Sequence, residues 1–249
     1  MTQIIISSYR QERPEAQYQL FILPHSGGSM TYFLPWQKIM PASIELNFVQ
    51  LPGRGTTFKH PPVTDWPEVI EAVSESIEKL NDGRPFALFG HSLGALIAFE
   101  VAHKLQHKNL VHLFASGMRS PIHYQVPRRR YTMTDTELIN YVANTDVANT
   151  KKDENYFQYL KFLLPTIRAD FQLVDTYEYH HQNLVMCPIS VMFGEEDTLH
   201  TREEFLDWKA VAGKDFDFKA FPGGHMYLGH ESQQVVEYLS NSLMSSGPL

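Results

Sequence analysis

The 249-residue chain predicts an α/β fold: a mostly parallel, doubly wound sheet carrying an all-helical insertion. Three observations lead there. Short apolar runs alternate with stretches of helical periodicity, as strands joined by crossover helices do. Several of those runs end in glycine-bearing loops, at the sheet edge where such folds bind ligands. Between residues 118 and 182 the strand pattern stops while the helical one continues. The expected organisation is therefore a sheet core, residues 1–117 and 183–249, with a helical lid at 118–182.

Residues 19–23 and 44–51 are apolar runs of strand length. The first ends in Pro24-His25-Ser26-Gly27-Gly28-Ser29, the second in Pro52-Gly53-Arg54-Gly55. Residues 32–40, around Trp36, predict a short helix. From 66 to 80 the residues Trp66, Val69, Ile70, Val73, Ile77 and Leu80 recur at helical spacing, with Asp65 as N-cap and Pro67 in the first turn. Residues 81–85 form a turn into a strand at 86–89. Past residue 94 a helix follows whose residues Ala95, Leu96, Ala98, Phe99, Val101 and Ala102 mark it as buried. A strand is expected at 111–116. In the lid, Pro121, Pro127 and Arg128-Arg129-Arg130 make an irregular lead-in. Thr134 and Glu137 are spaced as a capping box for a helix to 142. Residues 155–179 read as mostly helical, with Pro165 as a break or kink. The sheet resumes at 188–193, followed by a helix over 201–212, a strand over 216–221 and a helix over 232–244.

Composition removes several function classes. Apolar content of 43% and charged content of 20% are those of a globular protein. No run approaches the ~18 apolar residues of a membrane span. The net charge of −7 argues against nucleic acid as a partner. The first residues lack the basic and apolar segments of a secretory signal. The lone Cys187 cannot form an internal disulfide and reads as a core residue in a reducing, cytoplasmic compartment. No metal site is expected, since His180 and His181 are adjacent and point different ways on a helix. Gly90 and Gly94 lack the Lys-Ser/Thr ending of a phosphate loop.

The chemistry centres on Gly90-His91-Ser92-Leu93-Gly94, which fits G-x-S-x-G between a strand and a helix. A strand reversing straight into a helix brings backbones together, so glycine is required on both sides of the serine. The turn lifts the Ser92 hydroxyl to a helix N-terminus, which favours developing negative charge. A serine hydroxyl needs a base, and the base an orienting acid. Asp197 and His225 each follow a strand, as Ser92 does, and parallel strands deliver all three to one edge. The order Ser, Asp, His is that of the α/β-hydrolase fold. Asp197 is preferred over its neighbours Glu195 and Glu196, with Asp175 as a remote competitor. The backbone N–H groups of Leu93 and Ser26 are the expected oxyanion hole. His25 reads as structural, hydrogen-bonding to hold its loop.

Leu23-Pro24-His25-Ser26-Gly27-Gly28-Ser29, Val49-Gln50-Leu51-Pro52-Gly53-Arg54, the Ser92 turn, Leu164-Pro165-Thr166-Ile167-Arg168-Ala169-Asp170-Phe171 and Gly223-Gly224-His225 together resemble the type II thioesterases of non-ribosomal peptide and polyketide synthesis. The resemblance covers nearly the whole chain, lid included. Ser26 stands where the family usually has Ala, and Leu93 where it has Met; both still supply backbone N–H groups. Gly55-Thr56 and Met226-Tyr227 also depart from the usual residues, and bear on acyl-chain preference. The resemblance implies a cytoplasmic, monomeric serine thioesterase acting in trans on acyl or peptidyl carrier proteins. It would need no cofactor of its own, the phosphopantetheine arriving on the carrier. Such enzymes edit mis-primed or stalled synthases or release an intermediate. Lid Phe, Tyr and Leu residues are candidates for an acyl channel. Arg128, Arg129, Arg130, Lys151 and Lys152 are candidates for carrier docking. The rival readings are a general carboxylesterase or lipase, an acyltransferase or haloperoxidase-like use of the same triad, and a non-catalytic binding protein.

Overall fold

The structure, a computed structural model, describes residues 6–106, 108–124, 128–145 and 152–245. Among these the apolar runs pair into a seven-stranded sheet. Its spatial order is β1 (Ser7–Arg10), β3 (Ile44–Gln50), β2 (Tyr18–Leu23), β4 (Phe86–His91), β5 (Leu110–Ser116), β6 (Ile189–Gly194) and β7 (Phe216–Phe221). All neighbours run parallel except β1, which lies antiparallel on β3. Strand β1 escapes the sequence pattern because Ser7-Ser8-Tyr9-Arg10 has no apolar alternation. It is held at the edge by its backbone ladder.

Alternation along the strands feeds two cores. Phe21 and Leu23 pack on one face with α1 (Trp66–Leu80) and α2 (Leu93–Leu105), while Leu20 and Ile22 pack on the other with α6 (Ser232–Ser245). Asp65 caps α1 as expected, accepting the Glu68 N–H at 2.9 Å. The helix expected at 32–40 is instead a pair of 3-10 turns, Met30–Tyr32 and Leu34–Lys38. Pro35 lacks the N–H that a continuous helix would use there. The helix expected at 201–212 is α5 (Arg202–Leu206) followed by a 3-10 segment, Asp207–Val211.

The lid enters between β5 and β6, which pair directly with each other. Its helices α3 (Asp135–Thr145) and α4 (Glu154–Asp175) bury Leu138, Ile139, Leu160, Leu163, Leu164 and Ile167 between them. Thr134 and Glu137 form the expected reciprocal cap. Helix α4 runs through Pro165 without a break. That residue is on the solvent side, where water can take the carbonyl it leaves unbonded. Near its end, Leu173 and Val174 join the main core, so α4 is anchored at that end to the sheet domain. No helix among the described residues is long and apolar enough to cross a membrane.

Candidate active site

Ser92 sits between β4 and α2 at φ 54°, ψ −120°, the one non-glycine with positive φ among the described residues. Its N–H is pinned to Ser116 O at 2.8 Å. The flanking glycines are needed for space. A Cβ on Gly90 would lie 2.0 Å from Gly94 O, and one on Gly94 would lie 2.2 Å from Leu23 O. The loops of β2 and β4 are thus in backbone contact. Gly194, at the end of β6, meets the His225 loop equally closely, with Gly224 O 2.2 Å from an added Cβ.

His225 Nδ1 hydrogen-bonds Asp197 Oδ2 at 2.8 Å. The Asp197 carboxylate is shielded, with its side chain 1% exposed, and Oδ1 accepts the Leu199 N–H at 2.8 Å. Burial opposes its ionisation, but the His225 hydrogen bond and charge prevail and hold its pKa below the usual value. Glu195 and Glu196 are exposed, and Asp175 is taken by Arg130, so Asp197 is the acid on the imidazole. With Nδ1 engaged, Nε2 is the ring nitrogen left for the serine. Ser92 and His225 line one cavity of about 390 Å³. Their side chains form no hydrogen bond to each other; contacts of this kind often tighten only in the substrate complex. Neither the Ser26 nor the Leu93 amide has an acceptor among the described residues, as an oxyanion hole requires.

The cavity's roof is the lid. Tyr156, Tyr159, Leu160, Leu163, Ile167 and Phe171 of α4 all line it, so the Phe, Tyr and Leu residues among the acyl-channel candidates face the cavity that holds Ser92. The basic lead-in divides. Arg128 and Arg129 are exposed, as is Lys152. Arg130 is a strut instead: Nε and Nη2 reach Asp175 Oδ1 at 2.8 and 2.6 Å, and its cation lies 4.5 Å over the Phe171 ring. Arg130 is therefore withdrawn from the docking candidates. Pro127 and Lys151 lie outside the described residues.

His25 also differs from expectation. It packs edge-on against Tyr32 and His91, at 5.0 and 5.8 Å between ring centroids, and its Nδ1 has no hydrogen-bond partner. Burial, then the charges at His225 and Arg54, push its pKa down to about 3. It holds the loop by packing as a neutral ring. Two further groups were not legible in the sequence. His91 Nδ1 shares a hydrogen bond with Ser116 Oγ at 2.9 Å, which meets Tyr227 OH at 2.7 Å. Arg54 and Asp170 pair across 116 residues of sequence. Both lay in quoted motifs, but nothing in one chain's spacing reports that they touch.

The sheet, the elbow and the imidazole–carboxylate pair at one rim define an α/β-hydrolase with a helical lid. The chain belongs to the thioesterase domain family, whose model matches residues 18–243. It is 31% identical over 234 residues to the gramicidin S biosynthesis protein GrsT of Aneurinibacillus migulanus, covering 92% of this chain and 90% of that one. It is 30% identical to thioesterase PikA5 of Streptomyces venezuelae, covering 93% and 83%. The solved type II thioesterase BorB of the borrelidin cluster superposes with a TM-score of 0.87 at 28% identity, covering 96% of this chain and 97% of that one. The resemblance to type II thioesterases is borne out, and the enzyme class is thioester hydrolase. These relatives support that reading over a general carboxylesterase.

Proposed function

We propose that this enzyme hydrolyses acyl groups from the phosphopantetheine thiol of acyl or peptidyl carrier proteins. It works in trans, in the cytoplasm and as a monomer, to clear mis-primed or stalled synthases or to release an intermediate. One observation carries the reading: Ser92 and the Asp197-bound His225 open on a cavity roofed by apolar lid side chains. A reacting carbonyl and an acyl chain can occupy it together. The biosynthetic settings named for GrsT, PikA5 and BorB support the carrier as substrate.

The geometry supports the following steps. His225 Nε2 takes the hydroxyl proton as Ser92 Oγ bonds to the thioester carbonyl carbon. Asp197 stabilises the imidazolium and keeps Nδ1 protonated. The oxyanion is received by the N–H groups of Ser26 and Leu93, where loss of one such donor typically costs ~3 kcal/mol. The C–S bond breaks, the pantetheine sulfur takes the proton from His225, and an acyl-Ser92 ester remains. His225 then activates water, which releases the acid and restores Ser92. Water is the second reactant, and the remaining groups in these steps belong to the chain and the acyl carrier. Arg128 and Arg129, exposed at the lid's lead-in, are the proposed docking cations for an acidic carrier.

Intact mass of several acyl-loaded carriers, before and after treatment, tests the reading, with Ser92→Ala as control and matched oxygen esters alongside. Loss of the acyl mass with wild type alone is expected. Equal or faster turnover of the oxygen esters would transfer the enzyme to the esterases.

A further inference from the structure

Asp170 has no part in the steps above, yet it is 0% exposed. A buried carboxylate is tolerated only when paired and hydrogen-bonded. Arg54, itself 2% exposed, supplies two bonds, Nη1 to Oδ2 at 2.6 Å and Nη2 to Oδ1 at 2.7 Å. The third partner is the informative one. Oδ2 also accepts the backbone N–H of Gly27 at 2.6 Å. Gly27 follows Ser26, the oxyanion donor proposed above.

The loop is fixed on both sides of Ser26. Gly28 N–H binds the His25 carbonyl at 2.9 Å. The peptide unit from His25 to Ser26 is planar, and its C=O and N–H point opposite ways. Fixing that carbonyl therefore aims the Ser26 N–H. The next peptide unit, Ser26 to Gly27, is fixed by Asp170. The helix that carries Asp170 presses on the same loop: a Cβ on Gly27, which has φ +70°, would lie 2.8 Å from Ile167 Cγ1. One residue earlier, Thr166 Oγ1 donates to Gly53 O at 2.6 Å, so α4 also grips the loop that bears Arg54. A bare carboxylate here would oppose a developing oxyanion. Arg54 cancels that charge, and Oδ2, which carries a second lone pair, still accepts from Gly27 as well as from Arg54 Nη1.

We propose that Asp170, neutralised by Arg54, is a positioning residue for the oxyanion loop, and that thioester cleavage is competent only while lid helix α4 is seated. This rests on the reading of Ser26 as an oxyanion donor in a thioesterase. Preorganised donors act on the transition state, so the effect belongs in kcat rather than KM.

The test uses the full chain and an acyl-N-acetylcysteamine thioester, with Asp170→Ala and Asp170→Asn. Asn retains an acceptor for Gly27 but not the charge. The Ala variant should lose kcat by roughly 30–300-fold, and Asn by roughly 5–20-fold, with KM within about threefold. An acyl-chain boronic acid, which places an oxygen in the oxyanion site on reacting with Ser92, should weaken in proportion to kcat. A non-reactive thioether analogue should bind unchanged. Variants with wild-type kcat overturn the proposal and leave the thioesterase reading intact. Equal weakening of boronate and thioether, tracking loss of near-UV circular dichroism, overturns it as a merely structural effect. If Asp170→Ala does not fold, the Asn variant decides by the same criteria. A wild type inert on every thioester overturns the proposed function and this inference together.

Discussion

Ser92 is held where a side chain is costly. Its φ of 54° with ψ of −120° is a glycine conformation, worth on the order of 1–3 kcal/mol of strain for other residues. Ser92→Gly should therefore raise stability by about 1 kcal/mol in urea unfolding, after the extra chain entropy of glycine is subtracted, while abolishing turnover. The strain places the hydroxyl on the cavity wall it shares with His225. Asp197→Asn should leave the fold intact and lower kcat by about 10⁴, because an amide facing Nδ1 favours the wrong tautomer. A stopped-assay comparison on a small acyl-thioester measures it. These two residues were legible because each occupies a loop whose glycines have a steric reason to be there. His25 was misread as a hydrogen-bonded post because sequence reveals a histidine's neighbours in the chain but not the aromatic rings that enclose it.

At the scale of elements, α4 is held by charges at two points, one pair inside the lid and one to the sheet core. Arg130 meets Asp175 at its C-terminal end and Arg54 meets Asp170 five residues earlier. Removing one partner of a buried pair leaves the other uncompensated. Arg130→Met should thus cost about 3–5 kcal/mol in chemical denaturation. Arg128→Glu with Arg129→Glu should behave oppositely, leaving stability within about 0.5 kcal/mol. That pair should raise the apparent KM for an acyl carrier far more than for a small thioester. Equal changes on both substrates would remove these arginines from the docking surface. The three consecutive arginines read alike in sequence, and only the fold separates the one that reaches Asp175. The elements themselves were legible where apolar periodicity was strong, as in α1, α2 and the parallel strands. They were not where backbone pairing alone decides, as in β1, or where a proline turns a helix into 3-10 turns, as at Pro35.

Across the whole molecule, buried and half-buried imidazoles weaken the fold in acid. His25 and His200 are pushed down to about 3, His103 and His112 to about 4, and His91 well below the ordinary range, with burial the leading cause in each. In the unfolded chain each titrates near 6.5. Below that pH the unfolded state binds more protons, so stability falls as pH is lowered toward the folded-state values. Asp197, held below its ordinary value, adds to the loss at still lower pH. Urea midpoints should therefore decline from about pH 7 to 4, with a net uptake of protons on unfolding over that range. A flat profile would mean that these rings are hydrated or paired in solution.

The ladder between β5 and β6 has one more consequence. Leu113 N bonds Pro188 O at 3.0 Å and Gly117 N bonds Met192 O at 2.8 Å, so the roots of the insertion are already stitched together without it. Transplants between relatives at that seam should leave the sheet zipped, so a foreign roof can be fitted to test whether the lid sets acyl-chain preference. The graft has one chemical condition. It must bring an acid to the place of Asp170, or Arg54 becomes a stranded cation in the interior and the cradle for the tetrahedral intermediate goes slack.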